Sequence, residues 1–297
     1  MGKAQIYDSA YKYIFSNKRI FFQFIKSFVK EDFVKDITLE SIKQVDKSFV
    51  SEDFLSRESD IIYSINTGDS EAYIYILLEF QSTVDKSIPV RIAVYALQFY
   101  DLLYRNSRKG LLSPIFPILL YTGSEEWTIP TNIKDLIEKR IPEKYIPSFE
   151  YYTIIEKDIP DEVLLKLHNL ISAIIYLEKR RDEEGLKEAI DKVIELIREE
   201  DLIDVKMFAN WFRRMFRQKV DIEDYDKIKD IAEGKHMLTA IADEIMEKGR
   251  KEGVKKGVKK GVKKGKLEIA KKMKEESFEP ALISKITGLS IEEIKNI

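Results

Sequence analysis

The chain has 297 residues, 44% of them hydrophobic and 34% charged, with 15 Tyr and 16 Phe. That is enough apolar and aromatic mass to bury a core and too much for a disordered chain, and the length suits about two domains. Cysteine is absent, which excludes disulfides, thiolate zinc sites, iron–sulfur clusters and cysteine nucleophiles. The two histidines, His168 and His236, are far apart, so histidine-based triads and zinc sites are nearly removed. Hydrolytic chemistry would rest on carboxylates, lysines and a hard metal.

The net charge of −2 is unevenly spread. Residues 247–274 hold thirteen Lys or Arg against three Glu, a local net of +10, so the remainder carries −12. An acidic body with a basic stretch points to a polyanionic partner. The start, MGKAQIYDSAYKYIF, lacks the apolar core of a signal peptide, and no window nears the roughly 18 consecutive apolar residues of a spanning helix. A cytoplasmic protein without a membrane partner is the expectation.

In chain order, Tyr11, Ile14, Phe15, Phe21, Phe22, Ile25, Phe28 and Val29 recur at helical spacings, predicting a helix over 7–31 that Asn17-Lys18 interrupts. A short strand is expected within 40–50. SDIIYSI and AYIYILLEFQ read as two strands of a hairpin joined at NTGDSE. The second is almost continuously apolar, as in a strand covered on both faces. Pro89 opens a helix reaching about Arg108, and SPIFPILLYTG follows as a buried strand whose prolines suit its entry or an edge. A helix is expected near 132–140 and a strand at 149–155. This order makes the first part an α/β layer with a mixed sheet.

From Pro160 the texture is helical, over 161–181, 182–200, 205–217 and 222–248. Glycines then recur every fourth residue, from Gly249 through Gly253, Gly257 and Gly261 to Gly265. The run reads either as a flexible basic linker or as a helix with its glycines on one ridge, since each interior Gly costs about 1 kcal/mol against Ala and the lysines repel. That ridge also leaves self-association into a homo-oligomer open. Short helices end the chain, divided at Gly288, with Ser290 and Glu293 in capping-box spacing. The boundaries drawn are an α/β domain at 1–158, a helical domain at 159–248, a basic linker or helix at 249–266 and a small helical segment at 267–297.

The residues suited to chemistry lie on the hairpin. Asp60 opens its first strand, and Glu79 and Gln81 close its second, two residues apart and so on one face. The start of one hairpin strand lies beside the end of the next, so two carboxylates and an amide converge at one sheet edge. That set suits Mg²⁺, which keeps waters and leaves positions for phosphate. A strand ending in Glu at the solvent boundary is also ordinary structure. On other helices, Trp211-Phe212-Arg213-Arg214-Met215-Phe216-Arg217 reads equally as a nucleic-acid contact or an amphipathic core helix. Asp8 and Lys12 read as a simple helical pair before a catalytic one, with Lys12 the other cation within reach of such a role.

Several segments taken together, DSAYKYIF, R-x-S-D at 57–60, LLEFQS at 77–82, RIAVY at 91–95 and PILLYTG at 117–123, resemble the recombination-promoting nuclease/putative transposase branch of the PD-(D/E)XK nuclease superfamily. The match runs in order over 7–127, and the Gly-Lys run and ITGLSIEEI terminus resemble that branch more weakly. The resemblance implies an α/β, restriction-endonuclease-like core with a mixed sheet. It further implies a DNA endonuclease using Mg²⁺ (or Mn²⁺), Asp60 and Glu79 as metal ligands, and Gln81 in the superfamily's lysine position. Glutamine offers donors but no charge, which makes Arg91, one helical turn before Tyr95, a candidate for the missing cation. Lys255, Lys256, Lys259, Lys260, Lys263 and Lys264 are candidate DNA-binding residues through phosphate contact. The alternative is a catalytically weak DNA-binding or assembly protein that retains the nuclease fold.

Overall fold

The computed structural model describes residues 3–45, 60–66, 71–79, 84–107, 110–180, 183–196, 202–216 and 231–296. Two helices come first, α1 (Lys3–Phe15) and α2 (Lys18–Phe28). The break expected at Asn17-Lys18 is a helix cap: the Asn17 side chain accepts from the Arg19 N–H at 2.8 Å and the Ile20 N–H at 3.4 Å. Then come β1 (Ile42–Gln44), β2 (Asp60–Asn66), β3 (Glu71–Glu79), α3 (Ile88–Ser107), β4 (Ile115–Tyr121) and β5 (Tyr152–Ile155).

These strands form one mixed sheet in the order β1-β2-β3-β4-β5. β1, β2 and β3 are antiparallel neighbours, whereas β3–β4 and β4–β5 are parallel. The parallel pair needs a crossover, and α3 supplies it. It covers one face of the sheet, where Ile88, Ile92, Tyr95 and Phe99 pack with Ile62, Tyr73, Leu119 and Tyr121. On the other face, the Tyr63 ring stacks on Phe21 at 3.8 Å and its hydroxyl donates to the Phe15 carbonyl at 2.7 Å. β3 is thus sandwiched, which its apolar run required. Pro117 lies in β4 before the point where β5 joins, since β5 pairs only from Ile118 onward. The missing N–H falls where that neighbour is absent.

The helix expected near 132–140 is instead a single 3-10 turn, Ile133–Leu136. Its backbone is tied across to 149–150 through the Ile133 N–H to the Phe149 carbonyl, at 3.1 Å, and an Asn132–Glu150 bridge. Those bonds compete with a helical ladder.

Four helices follow, α4 (Asp161–Leu167), α5 (Leu170–Glu178), α6 (Glu183–Leu196) and α7 (Leu202–Phe216). α5 is buried almost throughout and packs on α2, while α7 packs on α1. The basic run then takes the helical form within α8 (Ile231–Glu275), followed by α9 (Pro280–Thr287) and α10 (Ile291–Lys295).

Two compact units result, Met1–Ala242 and Asp243–Ile297. Within the first unit, α5 packs on α2 and α7 on α1. The second unit has its own small core of Ala270, Ile283, Leu289 and Ile294. Gly288, at φ +69°, ends α9, and Ser290 and Glu293 form the expected capping box. Among the described residues no helix is long and apolar enough to cross a membrane.

Polar groups also tie the helices to the sheet. The buried Tyr11 hydroxyl donates to Glu156 at 2.5 Å and lies 2.6 Å from Glu178, joining α1 to the end of β5 and to α5. Arg19 pairs at 3.3 Å with Asp204 of α7, which is 1% exposed. Lys179 and Arg180 both pair with Asp161, closing α4 on α5.

Burial first, and then the two carboxylates, hold the Tyr11 phenol well above its ordinary range. Burial raises Tyr63 as well and pushes Tyr151 up to about 12. A raised folded pKa contributes stability that is complete below the unfolded value, about 10, and lost as pH rises above it. Melting temperature should hold from pH 8 to about 10 and then fall. Tyr11→Phe should cost about 1–3 kcal/mol in urea unfolding at neutral pH, because Glu156 and Glu178 lose a buried donor.

Candidate active site at the end of the hairpin

The antiparallel register of β2 and β3 runs from Asp60 opposite Leu77 to Asn66 opposite Glu71. Glu79 lies two residues beyond Leu77 on β3, so its backbone position and that of Asp60 belong to the same face and are diagonal neighbours. Such diagonals are roughly 7–8 Å apart in antiparallel sheets. Glu79 is also opposite Tyr121 in the parallel pairing with β4, which places this end of the hairpin beside the C-terminal ends of two parallel strands. Gln81 lies outside the described residues.

α3 covers this same face. As the crossover, it starts beside the C-terminal end of β3 and returns toward the start of β4. Its first turn, just after the loop that follows β3, carries Arg91. The Arg91 guanidinium donates to Asp85 at 3.1 Å, and each partner is 29% exposed. The other Asp85 oxygen accepts from the Ser87 N–H at 2.8 Å. That backbone bond, with Arg91 adding to it, holds the Asp85 carboxyl below the usual range against the opposing effect of its burial. On the far side of the same loop, the Val84 N–H donates to Glu125 at 2.9 Å, fastening it to the segment after β4. Sequence reasoning missed Asp85 and Glu125. Asp-x-Ser just before a helix was a readable capping signal for the first; nothing local marked the second.

The other candidates take ordinary structural places. α1, which carries Asp8 and Lys12, packs on the opposite face of the sheet. Trp211 and Phe212 are fully buried on α7, and Arg214 lies over the Tyr13 ring at 4.3 Å, so the amphipathic-helix reading accounts for that stretch. His168 caps α4 at φ 45°, and His236 is exposed on α8. Among the described residues there is no group of three or more His, Asp or Glu poised to hold a metal.

The family model for "Putative transposase, YhgA-like" matches residues 5–208, well over half of the chain. The chain belongs to this family. The match spans the whole sheet, α3 and the helices behind it as far as the first half of α7. Among curated relatives, the "Inactive recombination-promoting nuclease-like protein RpnE" of Escherichia coli (strain K12) is 24% identical over 98% of this chain and 96% of its own length. "Recombination-promoting nuclease RpnA" of the same strain is 24% identical over 86% of this chain and 84% of its own. "Recombination-promoting nuclease RpnD" of Escherichia coli O157:H7 is 24% identical over 59% of this chain and 67% of its own. No solved structure matches.

If Asp85 fastens both the loop and Arg91, Asp85→Ala should lower stability by about 0.5–1 kcal/mol at pH 7. Its folded pKa is depressed, so its contribution is present above the unfolded value near 4 and lost as pH falls below it. Urea unfolding of the two proteins should therefore differ at pH 7, and the difference should shrink as pH falls through the carboxylate range.

Proposed function

We propose that the chain is a metal-dependent DNA endonuclease that promotes recombination or accompanies a mobile element, built on a PD-(D/E)XK-type core. The observation that carries this reading is the β2–β3 register, which puts the backbone positions of Asp60 and Glu79 on one face at one end of the sheet. The mixed five-stranded sheet with its α3 crossover, and the nuclease names of two relatives over much of the chain, support it.

The donor set fits a hard divalent cation, because two carboxylates on adjacent strands offer oxygen ligands and leave room for water and phosphate. Asp60 and Glu79 would hold Mg²⁺, or Mn²⁺ in its place. Such an ion acidifies a bound water and neutralises charge at the phosphorus. Gln81, two residues past Glu79, would orient the attacking water or a phosphate oxygen through its amide, a dipole where the superfamily has a full charge. Arg91 supplies that charge from the first turn of α3. Asp85 pairs with its guanidinium at 3.1 Å and would orient it toward a phosphate oxygen gaining charge. Arg91 thus stands in for the superfamily lysine.

A second reading, a catalytically weak DNA-binding or assembly protein on the same fold, is favoured by one finding. The relative named as inactive matches 98% of the chain at the same 24% identity as the nucleases.

Supercoiled plasmid separates the two. The nuclease reading expects nicking with Mg²⁺ or Mn²⁺ and none with EDTA, abolished by Asp60→Ala or Glu79→Ala and lowered about 10²-fold or more by Arg91→Gln. Retention of the plasmid without cleavage under any metal would establish the second reading. Cleavage that survives Asp60→Ala would remove the site proposed here.

A further inference from the structure

We infer that the lysine face of α8 in the second unit docks duplex DNA by its two phosphate backbones, lying along one major groove without reading sequence. The inference stands on the charge and geometry of this unit and not on the cleavage chemistry proposed above.

The repeat Gly-Val-Lys-Lys sets the geometry. An α-helix turns about 100° per residue, so four residues advance each residue type by only about 40°. Over Gly253–Lys264 the types stay apart. The six positions from Lys255 to Lys264 occupied by lysine fall within about half of the circumference, and Gly257, Gly261, Gly265, Val254, Val258 and Val262 fall on the other side. Val254, Val258 and Val262 are 53–61% exposed, and open space lies over Gly257, Gly261 and Gly265. The second unit leaves the Gly and Val side of this stretch uncovered, and on the lysine side Glu293 of α10 pairs with Lys263.

The lysines are not equivalent. Lys251 pairs with Glu247 at 3.4 Å and Lys263 with Glu293 at 3.1 Å. Lys274 donates to the Ile294 and Lys295 carbonyls and so ends α10. Lys255, Lys259, Lys260 and Lys264 are exposed and make no ion pair among the described residues. On the helix they form two flanks, Lys255 with Lys259 and Lys260 with Lys264, about 140° apart. Between and beside them runs a shallow groove of about 480 Å³ lined by Lys259, Lys260, Lys263, Lys264 and Leu267.

Two cationic flanks on one helix match a duplex groove. A helix with its side chains is about 10–12 Å across, and the DNA major groove is about 12 Å wide with a phosphate strand along each wall. From Lys255 to Lys264 the helix rises about 13.5 Å, a length over which the duplex carries about eight phosphate charges. Contacts to phosphate fix position and carry no sequence information. An A-form RNA duplex has a major groove too narrow for a helix. An anionic membrane would need Trp, Phe or Leu opposite the lysines, and this helix offers Gly and Val.

The test is binding by the full-length protein in EDTA, with the DNA checked intact afterwards. The probes are two DNA duplexes of unrelated sequence, an RNA duplex of the same length and phosphatidylserine vesicles, between about 50 and 200 mM salt. The two DNA duplexes should bind equally and more tightly than the RNA. Four phosphate contacts contribute about −3.6 to the slope of log K against log salt. Lys255→Gln with Lys259→Gln, and Lys260→Gln with Lys264→Gln, should each reduce the slope by about two. The quadruple variant should lose at least about tenfold in affinity at 0.1 M salt. Gln is as good a helix former as Lys, so circular dichroism should not change, and the two double variants keep the test should the quadruple one unfold. Unchanged DNA affinity in these variants, equal binding of the RNA duplex, sequence preference, or uptake by vesicles in place of DNA would overturn the inference.

Discussion

The antiparallel register of β2 against β3 is the constraint on which the rest of the structure depends. Because side chains alternate along a strand, a slip of β2 by one residue would turn Ile62 away from α3 and Tyr63 away from Phe21, exchanging both faces of that strand at once. Burial on both faces therefore fixes the register more firmly than a one-sided sheet would. The same register sets Asp60 and Glu79 on one face at one end. The apolar core and the candidate site are two consequences of one pairing.

Much of what stands behind the sheet serves to hold that pairing. α3 returns the chain for parallel addition of β4, and its first turn carries Arg91, paired with Asp85 of the preceding loop. α5 and α7 buttress α2 and α1, and the polar links at Tyr11 and Asp204 join segments more than a hundred residues apart in sequence. Buried groups of this kind cost free energy unless they are paired. Here they are partnered across elements, so displacing one helix would strand a charge or a hydroxyl from another.

The sheet was legible because its strands announce themselves. The apolar run at 72–78, the NTGDSE turn and the proline at the head of α3 are strong local signals, and the structure places β2, β3, α3, β4 and β5 close to where they were expected. The Asn17 break and the Ser290 cap were readable for the same reason, since each is a side chain satisfying nearby backbone. The 3-10 turn at 133–136 was not, because long-range backbone bonds to 149–150 decided it. Nor did texture reveal that α5 and α7 join the first unit: amphipathic periodicity shows that a helix has a buried side and leaves its partner unnamed. For the site, hairpin logic brought Asp60 and Glu79 together from the sequence. The hold of Asp85 on Arg91 and of Glu125 on Val84 needed the fold, the second because it links segments about forty residues apart.

Family membership covers the sheet and its helical buttress, while the relatives include proteins named as nucleases and one named as inactive at the same identity. Titration of the full-length protein with Mn²⁺, read by electron paramagnetic resonance, tests the central point most directly. If Asp60 and Glu79 form one metal site, the wild type binds Mn²⁺ at a site that Asp60→Asn and Glu79→Gln each remove, and Mg²⁺ competes for it. Equal Mn²⁺ binding by the wild type and both variants would contradict the account.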